Sequence, residues 1–219
     1  MTITTLSDTH GLHRRIKEIP LADIIIHAGD ISNIGEEHQV IDFLNWFSNL
    51  PHQYKIFIAG NHDFFFENES TKYIEKIIPS NIIYLNDSGC TIDNINIYGS
   101  PITPRFMDWA FNRDRGKDIQ QHWKLIPGNT DILITHGPPF GRLDANANNY
   151  RTGCEDLLKV VENSKPKYHL FGHIHEAYGM TYNEYTTFIN ASILDEHYRI
   201  KNKPVLIEYN ESTFKTPTP

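Results

Sequence analysis

The 219-residue sequence has only two cysteines, Cys90 and Cys154, and they are too far apart to form a CxxC pair. That argues against a disulfide framework or a zinc knuckle and fits a reducing compartment. No stretch of about 18 apolar residues is present, so no membrane-spanning helix is expected. Met1 to Asp8 show no basic segment followed by a long apolar one, so no signal peptide is read there and the cytoplasm is the expected location. Positive charge is also scarce: 27 Asp and Glu outweigh 20 Lys and Arg, for a net charge of −7. Long nucleic acid is therefore disfavoured as a partner. A small phosphoester or nucleotide substrate is not, because bound metals would add positive charge that composition does not count. A homodimer is the base-rate expectation. There is no Gly/Ser linker, internal repeat or low-complexity tract. Residues 1–210 are read as a single domain, and the Pro-rich residues 211–219 as a frayed tail.

What the chain does have is histidine: twelve residues, about twice the usual share for this length. Apolar residues make up 39%, enough for a core. The segments 3–7, 54–59, 131–135 and 168–171 are short β-prone or apolar runs read as strands, and 23–28 is near-continuously apolar, as in a strand buried on both faces. Helical spacing covers 37–48, 70–78, 115–125 and 153–163, with Pro51 and Pro79 as breakers. Short strands are expected at 82–85, 90–93 and 95–99, and a closing hairpin or meander over 178–209. Strands alternating with helices, followed by extra short strands, predict an α/β fold with a second sheet packed on the first.

Five of these strands end in turns bearing Asp, Asn or His. They are Asp8-Thr-His10, Gly29-Asp30, Gly60-Asn-His-Asp63, His136-Gly137 and Gly172-His-Ile-His175. Ligand sites in open α/β sheets form beyond the carboxyl ends of strands. Histidine nitrogen with carboxylate or amide oxygen suits Mn, Fe, Zn and similar divalent metals. Asp8, His10, Asp30, Asn61, His136, His173 and His175 are too many for one four-coordinate ion. They suit two divalent ions sharing a bridge, for which Asp30 is the natural candidate. Taken singly, Asp-Thr-His and Gly-Asp are more often a cap or a plain turn, His-x-His is more often not a metal pair, and Gly-Asn-His-Asp is as often a loop as a site; the joint pattern carries the reading. His13, His38, His52, His122 and His197 lack such context and are expected at the surface. His27 and His169 lie inside strands and are expected to be structural.

The five blocks, in this order, resemble the calcineurin-like metallophosphoesterases. The strings Ile26-His-Ala-Gly-Asp30, Ile58-Ala-Gly-Asn-His-Asp63, Tyr98-Gly-Ser-Pro101, Trp109-Ala-Phe111, Thr135-His-Gly-Pro-Pro139, Phe171-Gly-His-Ile-His-Glu176 and Thr187-Phe-Ile-Asn-Ala-Ser192 are similar to the metallophosphoesterase-domain branch, classed with class III phosphodiesterases. The resemblance implies a four-layer α-β-β-α sandwich and a ligand assignment. Asp8, His10 and His175 would hold one metal, Asn61, His136 and His173 the other, and Asp30 would bridge them. His62 would be the catalytic acid, with Asn61 stabilising charge on the phosphoryl oxygens. The expected activity is hydrolysis of small phosphodiesters, cyclic nucleotides among them, by a metal-bridging hydroxide, with Mn as the favoured activator. The alternatives are a phosphomonoesterase or nuclease on the same site, and a non-enzymatic scaffold that keeps the fold. One departure stands out. Where the family's protein phosphatases carry a phosphate-gripping Arg after the second block, this chain reads Gly29-Asp-Ile-Ser-Asn-Ile-Gly35. A phosphoprotein substrate is thereby disfavoured, and the orienting partner of His62 is left unassigned. Arg105, Arg113 and Arg151 are candidate phosphate contacts, with solvated surface the blander reading. Phe64, Phe65, Phe106 and Trp109 are candidate stacking residues, with core packing the alternative.

Overall fold

The computed structural model describes residues 1–210. The expected tail, 211–219, lies outside the described residues. In chain order the elements are β1 (Thr2–Leu6), β2 (Ile24–Ala28), α1 (Glu37–Ser48), β3 (Tyr54–Ile58), α2 (Phe64–Asn68), α3 (Thr71–Ile77), β4 (Ile83–Tyr84), β5 (Ser88–Ile92) and β6 (Ile95–Ser100). Then come β7 (Thr103–Pro104), β8 (Asn112–Arg113), α4 (Lys117–Trp123), β9 (Ile132–Thr135), α5 (Glu155–Ser164), β10 (Tyr168–Phe171), β11 (Gly179–Tyr182), β12 (Thr187–Asn190) and β13 (Val205–Glu208).

Two mixed sheets form, ordered β13-β1-β2-β3-β4 and β11-β12-β10-β9-β6-β5. Successive side chains on a strand point to opposite faces, and here both faces are apolar. Ile24, Ile26, Ile56 and Ile58 of the first sheet pack with Ile132, Ile134, Leu170 and Ile189 of the second, in the layer between the sheets. Their neighbours Ile25, Phe57, Leu133, Phe171 and Phe188 belong to the cluster that includes the helix residues. To that cluster α1 contributes Val40, Phe43, Leu44 and Phe47, α4 contributes Ile119 and Trp123, and α5 contributes Leu157 and Val161. The result is helix, sheet, sheet, helix, as expected.

The tail differs in one respect. β11 and β12 form the expected antiparallel hairpin, but β13 leaves that sheet and pairs antiparallel with β1 of the other. It covers an edge that the first sheet would otherwise leave open. Among the described residues, no helix is long and apolar enough to cross a membrane, and both cysteines are free.

Candidate active site

The strands β1, β2 and β3 are mutually parallel, as are β9 and β10. Asp8 and His10 follow β1, Asp30 follows β2, and Asn61 and His62 follow β3. His136 follows β9, and His173 and His175 follow β10. These strand ends come together. Ligand atoms of Asp8, His10 and His175 lie within 4.8 Å of one another, as do those of Asp30, His136 and His173. A third such group is His10, Asp30 and His62.

Asp30 joins the groups. Its Oδ2 lies 3.5 Å from His10 Nε2 and 3.2 Å from His136 Nε2, while Oδ1 accepts the backbone N–H of His62 at 2.9 Å. Asp8 accepts the backbone N–H of His173 on both oxygens at 3.0 Å and faces His175 Nε2 at 3.5 Å. The turns are strained: Asp8, His10, Asp30 and His173 have φ of 55°, 41°, 55° and 68°. Such conformations cost on the order of 1–3 kcal/mol each and cluster at functional sites. Two glycines let the carboxylates approach. A Cβ on Gly60 would overlap Asp30 Oδ1, and one on Gly172 would overlap Asp8 Oδ2.

The hydrogen bonds around the histidines show that this cluster suits a cation. His136 Nδ1–H donates to the Ala28 carbonyl at 3.0 Å. Its Nε2 lone pair then faces Asn61 Oδ1 at 2.9 Å and Asp30 Oδ2 at 3.2 Å. Three electron-pair donors so arranged need a positive charge between them. His175 repeats the pattern, with Nδ1 donating to the Asp195 carbonyl at 3.0 Å and Nε2 turned to Asp8. Holding one ring nitrogen on a backbone carbonyl fixes the other as a ligand. His10 is buried, and neither of its ring nitrogens has a hydrogen-bond partner. Divalent ions of the Mn, Fe and Zn type fit this set of N and O donors.

Where a proton takes that place instead, burial opposes charge on His136, but Asp30 raises its pKa to about 9. His175 is likewise opposed by burial and raised by Asp8 to about 9. Burial pushes His10 and His173 down to about 4. Asp8 and Asp30 resist the upward push of burial and sit below the usual carboxylate range, held down chiefly by His175 and His136 respectively.

His62 stands beside this cluster, half-buried. Its Nδ1 is 2.7 Å from the Asn33 carbonyl, which fills the orienting role that sequence left unassigned. Its ring stacks on Trp109 (4.1 Å, 27°) and meets His10 edge-on (4.6 Å, 87°). Asp63 orients the loop rather than facing the site. Its buried carboxylate accepts the backbone N–H of Gly60, Ile31 and Ser32 and the Ser32 hydroxyl. Burial and the Asp30 charge push its pKa up to about 6 in spite of those bonds.

Other expectations divide. Arg105 and Arg151 are exposed and pair with Asp114 and Asp144, while Arg113 is half-buried, pairs with Glu67 and donates to His122. Phe65 is core and Phe106 is exposed; Phe64 packs beside Trp109 at 5.9 Å. His27 and His169 are buried and bonded to Thr9 and Thr135, as expected. His38 and His197 are exposed. His13 and His52 are corrections to the surface expectation. His13 is buried against Phe43 and Trp46, and His52 is buried with Nε2 3.0 Å from the Pro20 carbonyl. His122 is half-buried, with Nδ1 2.6 Å from Asp87. Sequence reasoning missed Asn33, Asp195 and Tyr198. The first two act through backbone carbonyls, which leave no residue-type signal. Tyr198 belongs to no motif, yet its ring meets His10 at 4.8 Å and His175 at 5.2 Å.

Comparison with known proteins agrees with this geometry. Residues 1–177 match the model of the calcineurin-like phosphoesterase family. The chain is 40% identical to human "Metallophosphoesterase domain-containing protein 1" over 226 residues, covering 93% of this chain and 69% of that protein. It is 36% identical to "UPF0046 protein K07C11.7" of Caenorhabditis elegans, covering 97% and 77% respectively. Among solved structures, TT1561 of Thermus thermophilus superposes with a TM-score of 0.57 at 11% identity, covering 86% of this chain and 88% of that one, a likeness of fold. The family match and these two relatives, together with the His/Asp clusters at the strand ends, place the chain in the calcineurin-like phosphoesterase family of metal-dependent phosphoester hydrolases, in its metallophosphoesterase-domain branch.

Proposed function

We propose that this chain is a dinuclear-metal phosphodiesterase acting on small diesters, cyclic nucleotides among them, in the cytoplasm. The observation that carries the reading is Asp30, whose one oxygen, Oδ2, faces histidines of two ligand groups. In this reading Asp8, His10 and His175 would hold one divalent ion and Asn61, His136 and His173 the other, with Asp30 contributing to both. Such ions supply Lewis acidity and a water of lowered pKa.

The chain's own residues supply the rest. The Asn33 carbonyl keeps a proton on His62 Nδ1, so Nε2 is the atom that gives a proton to the departing oxygen. The Trp109 face limits the tilt of that ring. The Asn61 amide lies among the ligand atoms, where charge develops on the phosphoryl oxygens. Charge supports preference for a diester. Arg105, Arg113 and Arg151 are each committed to a carboxylate, which leaves less cationic help for a dianionic monoester than for a monoanionic diester.

The test is to quantify bound metals and compare hydrolysis of bis(para-nitrophenyl) phosphate with para-nitrophenyl phosphate, with and without Mn²⁺. Metal-dependent turnover favouring the diester is expected. Preference for the monoester would replace the reading with a phosphatase on the same scaffold. Absence of both metal and turnover would leave a non-enzymatic scaffold.

A further inference from the structure

Tyr198 touches more of the site than any role so far accounts for. Its ring is edge-on to His10 (4.8 Å, 67°) and His175 (5.2 Å, 70°) and lies 6.4 Å from His62. The residue is nevertheless 45% exposed, so much of the side chain is open to an incoming molecule. Its φ is 58°, an outlier for so bulky a residue.

The turn that holds it there is over-determined. Asp195 accepts the backbone N–H of His197 and Arg199 on Oδ1, and the Arg199 guanidinium on Oδ2 at 3.0 and 2.8 Å. The Asp195 carbonyl accepts the Tyr198 N–H at 2.9 Å. The same carbonyl accepts His175 Nδ1 at 3.0 Å. One residue thus orients a site histidine and lifts Tyr198 beside it. A tyrosine kept for packing would be buried; this one is exposed, and its strained turn holds the ring against two site histidines.

We propose that Tyr198 is a specificity-determining residue whose ring packs on a planar aromatic substituent of the phosphodiester, on the ester that is not cleaved. Tyr198 lies closer to His10 and His175 than to His62, the proton donor to the departing oxygen, so it borders the other ester. The inference rests on the phosphodiesterase reading above.

The test holds the leaving group constant. Thymidine 5′-(para-nitrophenyl) phosphate, phenyl para-nitrophenyl phosphate and methyl para-nitrophenyl phosphate all release para-nitrophenolate. Only the first two carry a planar ring on the retained ester. The wild-type enzyme should favour both over the methyl ester in kcat/KM. In Tyr198→Gly each preference should fall about 3- to 10-fold, the scale of an aromatic pair. The melting temperature should stay level or rise, because glycine adopts this φ without strain. Tyr198→Phe, which keeps the ring, should keep both preferences.

An unchanged preference in Tyr198→Gly would overturn the proposal. So would an equal loss on all three esters with a lower melting temperature, which marks a structural residue. A loss confined to the thymidine ester, or one as large in Tyr198→Phe, would show that something other than the ring is read. A wild-type enzyme inactive on every ester would instead remove the phosphodiesterase reading itself.

Discussion

His62 shares with His136 and His175 an Nδ1 held on a backbone carbonyl, but unlike them it stacks on Trp109 and stands at the edge of the cluster. Nδ1 is tied to the Asn33 carbonyl and one face is covered by Trp109, so Nε2 is the atom available to move a proton. His62→Ala should therefore lower kcat about 10²- to 10⁴-fold, the usual worth of a general acid, with metal content per chain unchanged. Elemental analysis beside initial rates checks this, and a variant stripped of both ions would contradict the role. Asp30→Ala should do the reverse and empty both positions; two tightly held ions in that variant would refute the bridge. At this scale sequence is legible wherever chemistry depends on residue type, as it does for the seven expected ligands that the fold brings together. It is mute where a backbone carbonyl does the work. Asn33 reaches His62 across 29 positions through a group every residue carries. His13 is the opposite case: nothing in its flanks announces burial, and only α1, folding Phe43 and Trp46 over it, decides the matter.

The strand ends are tightly packed turns, and their glycines set the spacing of the carboxylates. Gly172 is not among the positive-φ glycines, so alanine there meets no left-handed backbone penalty, but its Cβ would overlap both Asp8 Oδ2 and Ser7 Oγ. Gly172→Ala should therefore displace Asp8 and cost the Asp8, His10 and His175 position its ion, while far-UV circular dichroism stays unchanged. Metal analysis reads this directly. Full metal content in that variant would mean that Asp8 is not a ligand. The strands carrying these turns were legible because both of their faces are apolar, which makes runs such as Ile24–Ile26 stand out. The small elements were not. The helix α2 contains three consecutive phenylalanines and no helical period. β7 and β8 are two residues each and exist by pairing with one another. The choice of β13 to join β1 is a long-range pairing that no local pattern encodes.

Packing two sheets and their helices around so many histidines has a consequence for the whole molecule. His13, His27 and His169 are buried, and burial pushes their pKa values down to about 4, 3 and 3. In the unfolded chain each would titrate near about 6.5. Between those values the unfolded state binds more protons than the folded one, so stability rises with pH. The contribution is complete above about pH 6.5 and is lost as the pH falls toward the folded values, at about 1.4 kcal/mol per pH unit for each group. His169 isolates the effect. Its Nε2 lies 2.8 Å from Thr135 Oγ1, whose own hydrogen goes to the Gly137 carbonyl, and its shift comes from burial alone. His169→Gln offers a neutral amide donor in place of the imidazole. Urea unfolding of parent and variant from pH 5 to 8, both freed of metal, should give curves that differ by a constant above pH 6.5. Below it the parent should lose stability relative to the variant, because only the parent's unfolded chain gains a proton at that position. Groups common to the two chains cancel in the comparison. Parallel curves down to pH 5 would mean that His169 takes up its proton without unfolding, and that burial does not hold it neutral.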